Sequence, residues 1–304
     1  MPSSVRHLAR KINGHAVHTL VNAKVSLSIA PEFGARVVSL KDLASGREWL
    51  DGWSPAAKRR LHPPRDPDNF MTSPLAGIDE CIPTIGRCRV AGRDLPDHGE
   101  AWNLPAPVDP ESAAAGTLVS AWSLRCLPLD FVRRITLSGA TARFAYSLTN
   151  RARRPTPFLW AWHPLFAFRA GDRVEFPPAI RKVVGRNQRI LPWPKARPDC
   201  DLSRADLAAS GRRGFKGYLG PFADGRATLR DARGPSLALR WPVSVHPYAG
   251  IYLNRGGAGG NHQWAVEPTN ARADDLDRIV ADKSPLHWLA PGETREWFVT
   301  ARVG

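Results

Sequence analysis

Three short segments each carry one side chain able to move a proton. They are Leu95-Pro96-Asp97-His98-Gly99-Glu100-Ala101-Trp102, Trp160-Ala161-Trp162-His163-Pro164-Leu165-Phe166 and Ala265-Val266-Glu267-Pro268-Thr269. His98 stands among turn formers, where an imidazole reaches solvent or a ligand and where a neighbour such as Asp97 could fix its tautomer. His163 follows an aromatic run and precedes Pro164, so it reads as the end of a strand whose proline tilts the ring towards a cavity. A core histidine bonded to backbone is the other reading. Glu267 follows two apolar residues and precedes Pro268. A carboxylate at the end of a buried strand must find partners or shift its pKa, and fixing it in an apolar setting is a route to a general base. A solvent-exposed strand end is the alternative.

Strands must position these residues. Val25, Leu27 and Ile29 alternate with Lys24, Ser26 and Ser28, the period-two pattern of a half-buried strand, and Arg36–Leu40 reads as its partner after a turn at Pro31 to Gly34. A meander runs from Thr117 to Asn150, broken near Pro128 and at Ser138-Gly139. Further strands fit Phe158–Trp162, Ala227–Arg230, Leu237–Trp241, Gly250–Asn254, Trp264–Glu267 and Glu296–Arg302. Only Asp274 to Ala281 reads as helical, with Leu276, Ile279 and Val280 on one face. Many short strands with 28 prolines and 25 glycines predict an all-β chain, a large antiparallel β-sandwich with very little helix. A single domain over residues 1–304 is expected, with 1–21 as an N-terminal extension or first strand. The Pro- and Arg-rich stretches Ser54 to Asn69 and Pro192 to Arg213 read as long loops, candidates for covering a pocket. Arg255-Gly256-Gly257-Ala258-Gly259-Gly260 lacks the spacing of a phosphate cradle and reads as a turn.

Composition narrows the function classes. At 304 residues with 43% hydrophobic and 23% charged, the chain is expected to fold around a large core. It has no apolar run of bilayer length and no secretory signal, so no membrane partner and a cytoplasmic location are expected. Cys81, Cys88, Cys126 and Cys200 form no C-x-x-C pair, so structural zinc is not expected and the thiols read as reduced and structural. The net charge of +15 is spread along the chain in doublets such as Arg59-Arg60 and Arg133-Arg134, without a recognition face or basic tail. A solvated Arg-rich surface or an anionic small-molecule substrate explains it better than nucleic acid, which is not expected as a partner.

Taken together, these segments resemble the aldose 1-epimerase, or galactose mutarotase-like, superfamily from about Asn22 onwards. The first hairpin Asn22–Leu40 is similar to the family's opening. Gly77-Ile78-Asp79-Glu80-Cys81-Ile82-Pro83-Thr84-Ile85-Gly86 looks like a pocket-loop segment leading to His98-Gly99. Asn150–Phe166 resembles the segment ending in a catalytic His-Pro, and Glu267-Pro268-Thr269 the C-terminal catalytic glutamate. Leu289-Ala290-Pro291-Gly292-Glu293-Thr294 is similar to the turn before the last strand. The resemblance implies a sugar site on one concave sheet. There Glu267 would take the proton of the anomeric hydroxyl, protonated His163 would give one to the ring oxygen, and His98 would help hold the pyranose.

A carboxylate and an imidazolium can each contribute on the order of 10²–10⁴-fold to such an isomerisation. No metal and no organic cofactor is required. Asp79, Glu80 and Trp162 are further substrate-binding candidates, with Asp97 and Glu100 as additional carboxylates near the pocket. Were the sugar anionic, Arg87 and Arg89, then Arg36, are the candidate anion partners. His163 sits in His-Pro-Leu-Phe-Ala-Phe, not in the His-Pro-Tyr-Phe-Asn-Leu typical of galactose mutarotases, so galactose itself is not implied. The expected partner is a small-molecule sugar, the expected state a monomer or homodimer. Two other readings stay open: a non-catalytic sugar-binding protein of the same fold, and a lyase or hydrolase acting on an acidic saccharide.

Overall fold

Alternation along the chain builds two sheets. In Leu129–Ser138 and Thr141–Asn150 every second residue is buried, so each strand turns one face to the core and one to water. These two strands lie in a seven-stranded sheet with Arg173–Glu175, Gly225–Arg230, Ser236–Trp241, Thr294–Val303 and Thr117–Ser123. Opposite it stands an eleven-stranded sheet. The ladders within both are antiparallel. The computed structural model describes residues 4–52, 62–198, 200–205 and 214–304. Among them no helix is long and apolar enough to cross a membrane.

Aromatic side chains fill the space between the sheets. The Phe144 and Trp162 rings lie 5.4 Å apart, Tyr146 and Trp160 5.1 Å, and Trp160 and Trp297 5.1 Å, so residues of both sheets share one core cluster. The expected all-β sandwich is the observed architecture. Residues Arg6–Ile12 and His15–Val21 form a hairpin at one edge of the larger sheet and continue into Val25–Ala30.

The middle of the larger sheet departs from simple alternation. Gly77–Cys81, Ala161–Ala167 and His262–Thr269 are buried on both faces almost throughout, because the second sheet covers one side and loops cover the other. Their order in the sheet is Gly77–Cys81, Ala161–Ala167, His262–Thr269, Tyr248–Arg255, Gly214–Leu219.

Two expectations about local structure are corrected. The strand expected over Phe158–Trp162 starts at Ala161 and runs on through Pro164 to Ala167, so His163 stands inside the strand and not at its end. The ladder towards His262–Thr269 pairs Ala161 with Thr269 and then resumes at Phe166 with Trp264. Pro164 and Pro268, neither with an N–H to give, lie on the two sides of that open seam.

The helix expected over Asp274–Ala281 is only a single 3₁₀ turn at Leu276–Arg278. The Asp274 carbonyl already accepts the amides of Ile85 and Gly86, which ties the chain to that loop and removes an acceptor a helix would need. The one α-helix among the described residues is Pro110–Ala114, opened by an Asp109 side-chain cap with proline in the first turn.

Candidate active site

Strand parity decides which side chains reach the loop-covered face. Asp79 pairs with His163 across the first two central strands, and Glu80 pairs with Trp162. Asp79 and His163 therefore share one face, and Glu80 and Trp162 the other. On the next seam the register is the same on both sides of the gap, which sets His163 across from Glu267. Glu267 in turn pairs with Gly250, and Gly250 with Tyr218.

A Cβ at position 250 would come within 2.6 Å of Glu267 Oε2. The glycine thus leaves room for the carboxylate to lean across its strand and meet the Lys216 ammonium in an ion pair. The other oxygen, Oε1, has no hydrogen-bond partner among the described residues and lies 4.0 Å from His163 Nε2.

A cavity of about 410 Å³ opens over this floor. His163, Glu267, Lys216, Gln263 and Tyr252 line it from the sheet, and Phe70, Met71, Asp97, His98, Arg186 and Asp274 from the loops. His98 has φ 61, a left-handed backbone that turns its ring inwards, and its amide donates to the Ile85 carbonyl at 2.6 Å. Its Nδ1 is hydrogen-bonded to Asp97 Oδ1 at 2.9 Å, while the ring stacks on Phe70 at 3.9 Å and meets His163 edge-on at 4.9 Å. Asp274 bonds the Tyr218 hydroxyl and pairs with Arg186 at 2.9 Å.

Burial is the main force on the site's charges. It pushes the His163 imidazole well below its ordinary range, and the nearby His98, Lys216 and Arg36 add to that. Burial also acts against the Lys216 ammonium, but Glu267 and Asp274 outweigh it and hold the group above its usual value. For Asp97 burial acts upwards, yet the hydrogen bond and charge of His98 and the Phe70 amide bring the net below an ordinary carboxylate. The cation facing Glu267 is thus Lys216. The protonated His163 expected from the resemblance is disfavoured here.

The three segments do converge, with His98, His163 and Glu267 around one cavity. Other expected site residues go elsewhere. Glu80 and Trp162 face the core: Trp162 is fully buried against Phe144 and Phe166, and Glu80 is bonded by Arg133, Tyr146 and Trp160. Glu80 belongs to a strand, Gly77–Cys81, whose consecutive side chains point to opposite faces, and not to a pocket loop.

Asp79 lies on the pocket face but beneath it, paired with Arg36 at 3.0 Å, and burial raises its carboxyl to about 6. Arg36 is spent on that pair and on the Ala76 carbonyl, 2.7 Å away. Arg87 lines a different cavity with Asp68, Glu100 and Arg125, and Arg89 is exposed beside Asp94 at 3.7 Å. Glu100 accepts the amides of Arg125 and Cys126, a structural task. Among the described residues the arginine that lines the cavity is Arg186, which no local sequence signal marks. Of the two expected covering loops, the residues after the first supply Phe70 and Met71, while 53–61, 199 and 206–213 lie outside the described residues.

Among the described residues one set of side chains could hold a metal ion. Cys81, His98 and His163 each offer an atom, all within 4.8 Å of one another. A tetrahedral zinc would draw such donors to about 3.5 Å apart. Burial, with Glu267 and Asp79, raises the Cys81 thiol well above its ordinary value in the metal-free site. The set as built is a poor fit to a zinc ion. All four cysteines are free thiols.

No protein-family model and no curated protein matches the sequence. Solved structures do. A candidate aldose 1-epimerase from Escherichia coli superposes with a TM-score of 0.68 at 16% identity, over 99% of each chain. A galactose mutarotase-like protein from Lactobacillus casei gives 0.67 at 18% identity over 94% of this chain and 99% of that one. Another, from Clostridium acetobutylicum, gives 0.68 at 14% over 100% and 99%. With two antiparallel sheets and a cavity on the larger one, the chain has the galactose mutarotase-like fold.

Proposed function

We propose that this protein is a cofactor-independent mutarotase or epimerase acting at C1 of an aldose. The observation that carries the reading is Glu267, fully buried, with one oxygen held by Lys216 and the other free at the floor of the cavity opposite His163. Such a carboxylate can take the proton of an anomeric hydroxyl as the C1–O5 bond breaks, while an acid at the cavity gives a proton to the ring oxygen. Rotation about C1–C2 and reclosure then yield the other anomer. His163 and His98 supply hydrogen bonds to the ring oxygen and a neighbouring hydroxyl.

The described charges support a neutral sugar over an anionic one. Each of the two cations lining the cavity is already held by a carboxylate, Lys216 by Glu267 and Arg186 by Asp274. Asp97, Gln263 and Tyr252 complete a lining suited to hydroxyl groups.

A second reading, a sugar-binding protein without turnover, is favoured by the disfavoured imidazolium at His163. Exchange NMR between α and β anomers across neutral aldoses and sugar phosphates separates them. Acceleration over the protein-free rate supports the enzyme, strongest with a neutral sugar. Saturation transfer to a bound sugar without faster exchange supports the binding protein.

A further inference from the structure

Glu267 has two potential cationic neighbours, and the geometry does not treat them alike. Lys216 touches Oε2, whereas His163 Nε2 stands 4.0 Å from Oε1, beyond the roughly 2.7–3.2 Å of an N–H···O bond. The preference is built into the sheet. Gly250, between the two strands, leaves the space through which Oε2 reaches Lys216. The Lys216 side chain is 17% exposed, against 6% for that of His163.

One buried carboxylate can offset one cation at contact. A second proton on His163 would place two cations on Glu267, with Arg36 close behind. We propose that Lys216, and not His163, carries the proton that partners Glu267, and that Lys216 returns a proton to the ring oxygen when the sugar ring opens. The catalytic half rests on the mutarotase reading.

The step balances. Glu267 takes the proton from O1, the Lys216 ammonium gives one to the ring oxygen as the C1–O5 bond breaks, and the products are an aldehyde, a C5 hydroxyl, a carboxylic acid and an amine. Reclosure returns both protons. The neutral His163 is then a hydrogen-bond partner that positions the ring. The other titratable groups facing Glu267 and Lys216 are Cys81 and Asp79 beneath His163, Tyr218 beside Lys216, Tyr252 on the strand between, and Asp274 and His98 from the loops. Of these Asp274 is committed to Tyr218 and Arg186, and His98 to Asp97.

The test is a histidine ring titration by ¹⁵N NMR in the sugar-free protein, with His163 assigned by its absence in His163→Gln. Wild-type His163 is expected to stay neutral across pH 6–8. In Lys216→Met, where Glu267 loses its counter-ion, His163 becomes the remaining cation and gains at least about tenfold in proton affinity. Lys216→Arg should keep the wild-type behaviour.

An imidazolium at His163 in the wild type near pH 7, or a His163 titration unmoved by Lys216→Met, overturns the proposal. Should Lys216→Met not fold, the wild-type titration and Lys216→Gln still decide it. In exchange kinetics, Lys216→Met should lose rate as pH rises through the imidazole range, which wild type should not; identical profiles overturn the catalytic half. A wild type that exchanges no anomers overturns that half together with the mutarotase reading, while the titration still decides which group holds the proton.

Discussion

Two glutamates, Glu80 and Glu267, are both sealed in the same sheet, two strands apart, and each is paired with one cation. Their surroundings differ in one respect. Both oxygens of Glu80 are used: Oε1 accepts from Arg133 at 3.2 Å and from the Tyr146 hydroxyl at 2.9 Å, and Oε2 from Trp160 at 3.1 Å. Glu267 spends only Oε2, on Lys216, and leaves Oε1 open to a cavity. A saturated buried carboxylate holds two sheets together. A half-satisfied one at the floor of a cavity is available for chemistry.

That contrast can be broken from either side. Glu267→Gln should lower anomer exchange by at least about 10²-fold with the fold retained, because the amide keeps the shape but takes no proton. Circular dichroism alongside exchange NMR checks both parts. Glu80→Gln should do the reverse. At pH 8, above the raised Glu80 value, it leaves the buried Arg133 without its charge partner, at a cost of about 3–5 kcal/mol in urea unfolding, while exchange per folded molecule stays close to wild type.

Gly250→Ala sharpens the comparison. The new methyl meets Glu267 Oε2 and pushes it from Lys216, so exchange should fall by roughly tenfold with a stability change smaller than that of Glu80→Gln. The two raised carboxyls also make stability depend on pH. Burial raises Glu80 to about 7 and Asp79 to about 6 from 4.5 and 3.8. Between those values the folded state binds more protons than the unfolded one, so stability is highest at the acid end and falls as pH rises through the folded pKa values. Unfolding midpoints measured from pH 4.5 to 8 should decline over that window, less so in Glu80→Gln.

Much of the fold was legible because half-buried strands write their period directly into the chain, as in Leu129–Ser138 and Thr141–Asn150. Central strands covered on both faces do not, and there the reading slipped. The aromatic run Phe158–Trp162 lies ahead of most of the strand Ala161–Ala167, and within the Gly77–Gly86 segment the strand Gly77–Cys81 sends Asp79 and Glu80 to opposite faces, although both look alike as loop carboxylates. The neighbours of His98, His163 and Glu267 leave each residue open to a structural alternative, and it is the family resemblance that groups the three; the structure brings them to one cavity.

Lys216 was not. Phe215, Gly217 and Leu219 alternate with Lys216 and Tyr218, which marks a strand, but nothing local says that this lysine meets a glutamate 51 positions later or that Gly250 clears the way. Arg186 and Asp274 were missed for the same reason, since their meeting depends on how distant loops fold over the sheet.

The most direct test of the central claim is α/β exchange of a neutral aldose by inversion-transfer NMR, with wild type and Glu267→Gln measured side by side at equal folded concentration. The free Oε1 of Glu267 predicts acceleration by wild type well above the protein-free rate and its near-complete loss in the variant. No acceleration with any aldose, or equal acceleration by both proteins, would contradict it.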